Sequence, residues 1–274
     1  MEPEKCCTVS CDLTLDQTYW DNQYQANDTG WDLGKVSPPL QSHIDRIQHK
    51  NAKILIPGCG NGYEAEYLLE QGFTNVTVID IAPTLVENLR AKFAGKPINI
   101  VLGDFFAHDG QYDIILEQTF FCALPPSLRQ RYVWKMHQLL ADDGMLAGVL
   151  FNRDFETGPP FGGSVREYKQ LFAGAFAVEM MADAQNSVDK RAGAEAIFSL
   201  RKKNGHVALY HFEGITCSGC QQTITEKFKA IDGVTNASIS TDFSEVLVAS
   251  EREIPLSTLQ DAVAYDEKYQ IRKR

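Results

Sequence analysis

Lys53-Ile-Leu-Ile-Pro-Gly-Cys-Gly-Asn-Gly62 is the stretch that decides the fold. An apolar run ends there in three glycines at alternate positions, so the spacing predicts a β-strand that enters a tight turn and opens a helix. Glycine lets the backbone bend without a Cβ clash and lets a ligand lie against main-chain N–H groups. The next apolar run, Asn75-Val-Thr-Val-Ile-Asp80, ends in a carboxylate. A doubly wound α/β domain places an acceptor for ribose hydroxyls at that point. The pair reads as a site for an adenosine-containing cofactor, against the blander reading of glycines that only turn a strand into a helix.

Two cofactor classes share this layout, and the glycine spacing separates them. A dinucleotide fingerprint needs G-x-G-x-x-G, whose third glycine packs helix on strand beneath a pyrophosphate. Counted from Gly58, that third position is Tyr63. The form G-x-G-x-G stands here instead, and it resembles the first motif of class I S-adenosylmethionine-dependent methyltransferases, whose cofactor carries no phosphate.

At 274 residues and 44% hydrophobic content, the chain is long enough for one large and one small domain. Its formal net charge of -10 argues against nucleic acid or an anionic membrane surface as partner, because both are bound through clustered Lys and Arg. A small-molecule partner fits better. No apolar run approaches membrane-helix length, and Glu2 and Glu4 with no apolar segment behind them do not read as a secretory leader. A cytoplasmic location is expected. In a reducing compartment, Cys217 and Cys220, two of seven cysteines, are not disulfide partners by default.

Along the chain, an amphipathic start from Leu15 to Gln25 leads into a loop from Asn27 to Gly34, and Pro38-Pro39 opens a helix expected to reach about Gln48. Strands are predicted near Lys53 to Pro57, Asn75 to Asp80, Ile98 to Leu102, Tyr112 to Glu117 and Met145 to Phe151. Helical patterns lie between them near Tyr63 to Glu70, Thr84 to Phe93 and Ser127 to Leu140. This alternation is what a parallel sheet requires. A Gly- and Pro-rich loop, a helix from Ser164 to Phe172 and strands near Phe176 to Met181 and Ala196 to Lys202 complete a seven-stranded doubly wound α/β sheet. After the linker Arg201-Lys-Lys-Asn-Gly205 the order becomes strand, helix, strand, strand, helix, strand, a βαββαβ ferredoxin-like α+β domain. The expected domains are 1–204 and 205–274.

Methyl transfer from a sulfonium is an in-line displacement, so the protein must hold methyl and nucleophile at about 3 to 3.5 Å and exclude water. The third strand leads into Gly103-Asp-Phe-Phe106, where Asp104 suits the adenine amino group and Phe105 the ring face. An Asp after a strand is equally an ordinary cap. The fourth strand leads into Glu117-Gln-Thr-Phe-Phe-Cys-Ala-Leu124, at the carboxyl end of the sheet where ligands of such folds bind.

Five groups of residues, in order, carry a closer resemblance: Trp20 with Tyr24 and Thr29-Gly-Trp-Asp-Leu-Gly34, Pro57-Gly-Cys-Gly60, Gly103-Asp-Phe105, Glu117 to Leu124, and Gly158-Pro-Pro-Phe161. Together, over about Leu15 to Lys202, they resemble the thiopurine S-methyltransferase family, with its thiol and halide methyltransferase relatives and the class I methyltransferase fold. The resemblance implies that Trp20, Tyr24 and Trp31 line the S-adenosylmethionine site, that Gly58 approaches the methionine moiety, that Asp80 binds ribose, and that Asp104 and Phe105 hold adenine. Gly60 and Glu117 complete the expected cofactor set. Methyl acceptors in this family are soft sulfur, selenium or halide species. A thiol with a pKa near ~8.5 is already partly ionised at neutral pH, so no catalytic residue is assigned. Arg153 and Phe161 are expected to face the acceptor, the first attracting negative charge and the second shutting out water. Asp154 reads either as a proton acceptor or as an exposed loop residue. Cys59 and Cys122 read as packed small residues. His43, His49, His108 and His137 read as surface or satisfied side chains.

The second signature is Gly214-Ile-Thr-Cys-Ser-Gly-Cys220, followed by Ile224, Phe228 and Ile231 at helical spacing. Two thiols three apart on a loop entering a helix suit a soft, thiophilic ion. The segment resembles a heavy-metal-associated domain, with Ile215 in place of that family's usual Met and Tyr265 as an aromatic near the metal. Zinc would want four ligands, so Cys217 and Cys220 are expected to hold an ion such as Cu(I) or Hg(II). Cys6, Cys7 and Cys11 form a further thiol cluster, either inert or able to supply ligands. The whole chain is expected to methylate a small soft nucleophile in detoxification, with a metal-donor or metal-acceptor protein as a possible partner of the second domain. The rival expectation is a metal chaperone or sensor in which the first domain only docks or regulates.

Overall fold

Ile54 and Ile56 point to one side of strand β1 (Ile54–Pro57) and Leu55 to the other, and all four positions of the strand are buried. A strand with both faces apolar belongs in the middle of a sheet covered by helices on both sides. In the computed structural model, which describes residues 14–274, β1 lies between β2 (Val76–Asp80) and β4 (Tyr112–Gln118), parallel to both. β3 (Ile98–Leu102) adds in parallel outside β2, and β5 (Leu140–Phe151) in parallel beside β4. Beyond β5 the chain inserts β7 (Glu195–Lys202) antiparallel, with β6 (Phe176–Asp183) antiparallel at the edge. The order is β3-β2-β1-β4-β5-β7-β6, a mixed seven-stranded sheet.

Helices α3 (Tyr63–Glu70) and α4 (Pro83–Lys92) bury Leu68 and Leu89 against Ile54, Ile56 and Val78 on one face. On the other face, α5 (Arg129–Leu139) and α6 (Val165–Phe172) bury Tyr132, Val133 and Phe172 against Leu55, Ile115 and Phe198. Ahead of the sheet run α1 (Gln17–Ala26) and α2 (Pro38–Ile44), so the helix expected to reach Gln48 ends at Ile44. Strand β5 begins at Leu140, five residues before the expected Met145; the added stretch carries Asp143 in a left-handed conformation (φ 58°) and pairs with β4 through an irregular register between Tyr112 and Ile114.

The C-terminal unit is β8 (His206–Glu213), α7 (Ser218–Lys229), β9 (Val234–Ile239), β10 (Glu245–Ser250), α8 (Leu256–Val263) and β11 (Gln270–Lys273), with the antiparallel order β11-β8-β10-β9. One sheet face, with Tyr210, Phe212, Val246 and Val248, packs on Ile224, Phe228 and Leu259 of its own helices. The alternate residues Val207, Leu209, Leu247 and Ala249 join the core beneath α5. Every position of β10 is therefore buried. Among the described residues no helix is long and apolar enough to cross a membrane.

Candidate active site and thiol loop

The glycine turn builds the floor of a cleft of about 910 Å³ at the carboxyl ends of β1, β2 and β4. Gly58 stands at φ 55°, and a Cβ there would meet the Phe120 ring at 2.3 Å. Only glycine fits both demands. Asp80 ends β2 with 8% of its surface exposed, and its carboxylate accepts from the N–H of Ala82 at 3.1 Å and of Gly60 at 3.4 Å. Burial pushes its pKa up to about 6, against the opposing pull of those N–H groups.

Aromatic rings from the N-terminal segment cover the cleft. Trp31 packs edge-on against Trp20 at 5.6 Å and Tyr24 at 5.9 Å, and all three border the cavity. This cover is pinned at two ends. Asp21 on α1 accepts from the N–H of Thr84 at 2.7 Å, and the Trp31 carbonyl accepts from Arg191 at 2.6 Å. Arg191 is itself held by an ion pair with buried Glu195 at 3.1 Å.

Asp104 borders the cleft, and one of its oxygens caps the following 3-10 turn, Phe105–Ala107, by accepting from the N–H of Phe106 at 2.9 Å. Both sequence readings of Asp104 are therefore compatible with its position, since the second oxygen carries no such bond. Phe105 is 4% exposed and rests on Phe120 at 5.1 Å between ring centres.

Three expected residues do not border the cleft. Glu117 is fully buried and turned inward, where it accepts from the N–H of Phe120 at 2.9 Å, the N–H of Phe121 at 2.8 Å and the hydroxyl of Tyr132 at 2.8 Å. It braces the loop behind the cleft wall and is removed from the cofactor set. Burial pushes its pKa up to about 7. Arg153 is exposed, with its guanidinium over the Phe155 ring at 4.8 Å, and Phe161 packs against Gly158 while its N–H donates to the Cys122 carbonyl at 2.6 Å. From that loop, Pro159 and Pro160 are the residues that reach the cavity. Asp154 is exposed as well.

Sequence reading missed Gln118, Thr119 and Glu64. Gln118 accepts from the Ser37 hydroxyl at 2.8 Å, and Thr119 is held at φ 61°, a strained setting for a β-branched residue. Both border the cleft. Glu64, in the first turn of α3, is 6% exposed, borders the cleft and has as its contact from another residue a long one, to the N–H of Ser37 at 3.5 Å. Burial raises its pKa. A signal for Glu64 existed in its place two residues after Gly62, the last glycine of the turn. Cys59 and Cys122 are buried, and burial raises both thiol pKa values. His43 is buried with Nε2 unpartnered, whereas His137 Nε2 meets the Lys203 carbonyl and His108 meets the Tyr112 hydroxyl.

The cleft wall has a one-sided charge. Among the described residues it is bordered by the carboxylates of Asp16, Asp28, Asp32, Glu64, Asp80 and Asp104 and by no Lys, Arg or His. Such a wall suits a cationic ligand.

At the other end of the chain, Cys217 caps α7. Its sulfur accepts from the Cys220 N–H at 3.4 Å and lies 3.0 Å from the Cys220 sulfur. Cys217 is exposed and Cys220 half-buried. The thiol of Cys220 is shifted down, first by its hydrogen bond with Cys217 and then by the Tyr269 hydroxyl. A lower thiol pKa eases formation of the thiolate, the form that ligates metal. No cluster of three or more His, Cys, Asp or Glu with metal-binding geometry exists among the described residues. Tyr265 is 53% exposed and packs against Tyr269 at 5.5 Å. Cys6, Cys7 and Cys11 lie outside the described residues.

The family model for thiopurine S-methyltransferase matches residues 15–208, and that for the heavy-metal-associated domain matches 209–266. The chain is 32% identical over 193 residues to the probable thiol methyltransferase 2 of Arabidopsis thaliana, an alignment covering 68% of this chain and 85% of that one. It is 29% identical over 179 residues to the thiopurine S-methyltransferase of Vibrio parahaemolyticus, covering 58% and 82%. The fold is shared with the 1,6-didemethyltoxoflavin-N1-methyltransferase of Burkholderia thailandensis, solved with S-adenosylhomocysteine, at a TM-score of 0.57 and 20% identity over 69% of this chain and 87% of that one. Because the first of these models spans more than half of the chain and ends where the second begins, the protein is an S-adenosylmethionine-dependent S-methyltransferase that belongs to the thiopurine S-methyltransferase family and carries a heavy-metal-associated domain.

Proposed function

We propose that the protein methylates a small soft nucleophile, a thiol, a selenium or tellurium species or a halide, and that it serves detoxification in the cytoplasm. The observation that carries the methyl-donor half of this reading is the acidic, aromatic, cation-free cleft wall; the soft acceptor is supported by the likeness to thiol and thiopurine methyltransferases. S-adenosylmethionine supplies an electrophilic methyl on a sulfonium. Carboxylates attract its positive charge, and Trp20, Tyr24 and Trp31, which border the cleft, add aromatic surface suited to a cation. Asp80 would take the ribose hydroxyls, Asp104 with Phe105 the adenine, and Gly58 and Gly60 let the donor approach the backbone. Glu64, short of hydrogen bonds and buried, would accept from the donor's ammonium group, which relieves the cost of leaving a carboxylate poorly partnered. Pro159 and Pro160, rather than Arg153 and Phe161, line the cleft from that loop, and an apolar acceptor side there would help to exclude water. An acceptor already ionised needs only that.

We place the methyltransferase domain at 1–204 and the metal domain at 205–274. Cys217 and Cys220 would hold a soft ion such as Cu(I) or Hg(II), exchanged with a metal-donor or metal-acceptor protein. A screen of methyl transfer to thiols, iodide, selenite, tellurite and arsenite, with and without Cu(I), tests the reading. Turnover with at least one soft acceptor and none with amines or carboxylic acids is expected; a preference for nitrogen or oxygen acceptors would overturn it.

A further inference from the structure

Glu245 opens β10 in the C-terminal domain, yet it is 1% exposed because α5 of the methyltransferase domain lies over it. Its carboxylate accepts from Arg131 Nε at 3.0 Å and from Arg131 Nη2 at 2.5 Å, and it also pairs with Arg274. Two donors on one carboxylate fix the plane of the Arg131 guanidinium as well as its position. The guanidinium carbon stands 5.6 Å from the centre of the Phe106 ring, and the Asp104 and Asp242 carboxylates draw on the same charge. Phe106 and Asp104 belong to the 3-10 turn that forms one wall of the donor cleft. The seam continues along α5, where Gln130 donates to the Ile239 carbonyl at 3.2 Å and Gln221, the residue after Cys220, donates to the same carbonyl at 3.3 Å.

We infer that Arg131 is a positioning residue for the methyl donor, held against the Phe106 wall by Glu245 of the C-terminal domain. The metal domain is then a fixed part of the donor site although it supplies none of its lining. A detachable carrier would not bury both faces of β8 and β10. Phe106 sits between guanidinium and cleft, so loss of the ion pair frees the turn that carries Asp104 and Phe105. The inference rests on the donor reading of the cleft.

The test is titration of the full-length protein with S-adenosylhomocysteine, beside steady-state kinetics and a melting curve. Glu245→Gln and Arg131→Met should each raise Kd and the donor KM about three- to tenfold, while kcat at saturating donor stays within about twofold. The double variant should be no worse than the weaker-binding single, because both changes break one link. A pair with only a structural role lowers the melting temperature and leaves Kd unchanged well below the transition; that result overturns the inference, as do effects that multiply. Should either variant fail to fold, Arg131→Lys keeps the positive charge and loses the planar fork that Glu245 holds. It should raise Kd to the same degree, and wild-type affinity in that variant overturns the inference. No binding by the wild type overturns the donor reading itself, whereas wild-type binding with silent variants overturns this inference alone.

Discussion

The acidic cleft and the thiol loop are opposite kinds of site in one chain. The cleft is recessed, acidic and assembled from segments as far apart as Trp20, Asp80, Gln118 and Pro160. The thiol pair spans four residues, faces solvent and is poised by the start of one helix. A site of the first kind depends on every element that positions it; one of the second depends on its own loop. The two should therefore fail separately, with one exception, the Arg131–Glu245 seam.

The largest expected effect is on the local site. Cys217→Ser with Cys220→Ser should abolish stoichiometric Cu(I) binding at that site in the full-length chain and leave S-adenosylhomocysteine affinity within about twofold, since a paired soft-ligand site has no substitute for its thiolates. One-to-one binding retained in the double variant would move the site to Cys6, Cys7 and Cys11. The full chain is the right material, because the segment from His206 on its own would expose Val207, Leu209 and Leu247.

Next is the brace behind the cleft. Glu117→Ala leaves three donors without their acceptor and should cost about 2 to 4 kcal/mol in denaturant unfolding. The folded pKa of Glu117 is raised from 4.5 to about 7, so between those values the folded state holds a proton that the unfolded chain releases. Stability contributed by this group accordingly falls as pH rises through that window. Glu117→Gln should flatten the fall; an unaltered pH profile would mean that another group carries it.

A smaller effect is expected at Glu64. Glu64→Gln should weaken S-adenosylhomocysteine by about tenfold, the worth of one charge-assisted hydrogen bond, and leave 5′-methylthioadenosine, which lacks the amino-acid end, unchanged. Equal loss for both ligands would make Glu64 a packing residue. The smallest effect is predicted for Asp154→Asn: turnover within about twofold at a pH where the acceptor is ionised. A hundredfold loss, the scale of general-base catalysis, would point to an oxygen or nitrogen acceptor.

What the sequence made legible follows the same division. The glycine turn, the carboxylate ending β2 and the thiol loop are written in consecutive residues, and each forms where it is expected. Harder to read was which way a side chain turns at a strand end. Glu117 and Gln118 are neighbours on opposite faces of β4, as a pleat of period two requires. One faces Tyr132 inside and the other the cleft, so the carboxylate looked like the ligand while the amide borders the cavity. Arg153 and Phe161 were misplaced because their loop is set by contacts with Cys122 and Gly158 rather than by its own periodicity. The insertion of β7 between β5 and β6, and the burial of β8 and β10 on both faces, are long-range pairings that no local pattern spells out.

The central claim, that the acidic cleft is the methyl-donor site with Asp80 as its ribose acceptor, is tested most directly by calorimetric titration of S-adenosylmethionine into the wild type and Asp80→Ala. The account predicts one-to-one binding that the substitution weakens by about 1.5 to 3 kcal/mol. It also predicts wild-type affinity that falls as pH drops through about 6, where Asp80 takes up its proton and loses the charged acceptor. Unchanged affinity in a folded Asp80→Ala variant would contradict it.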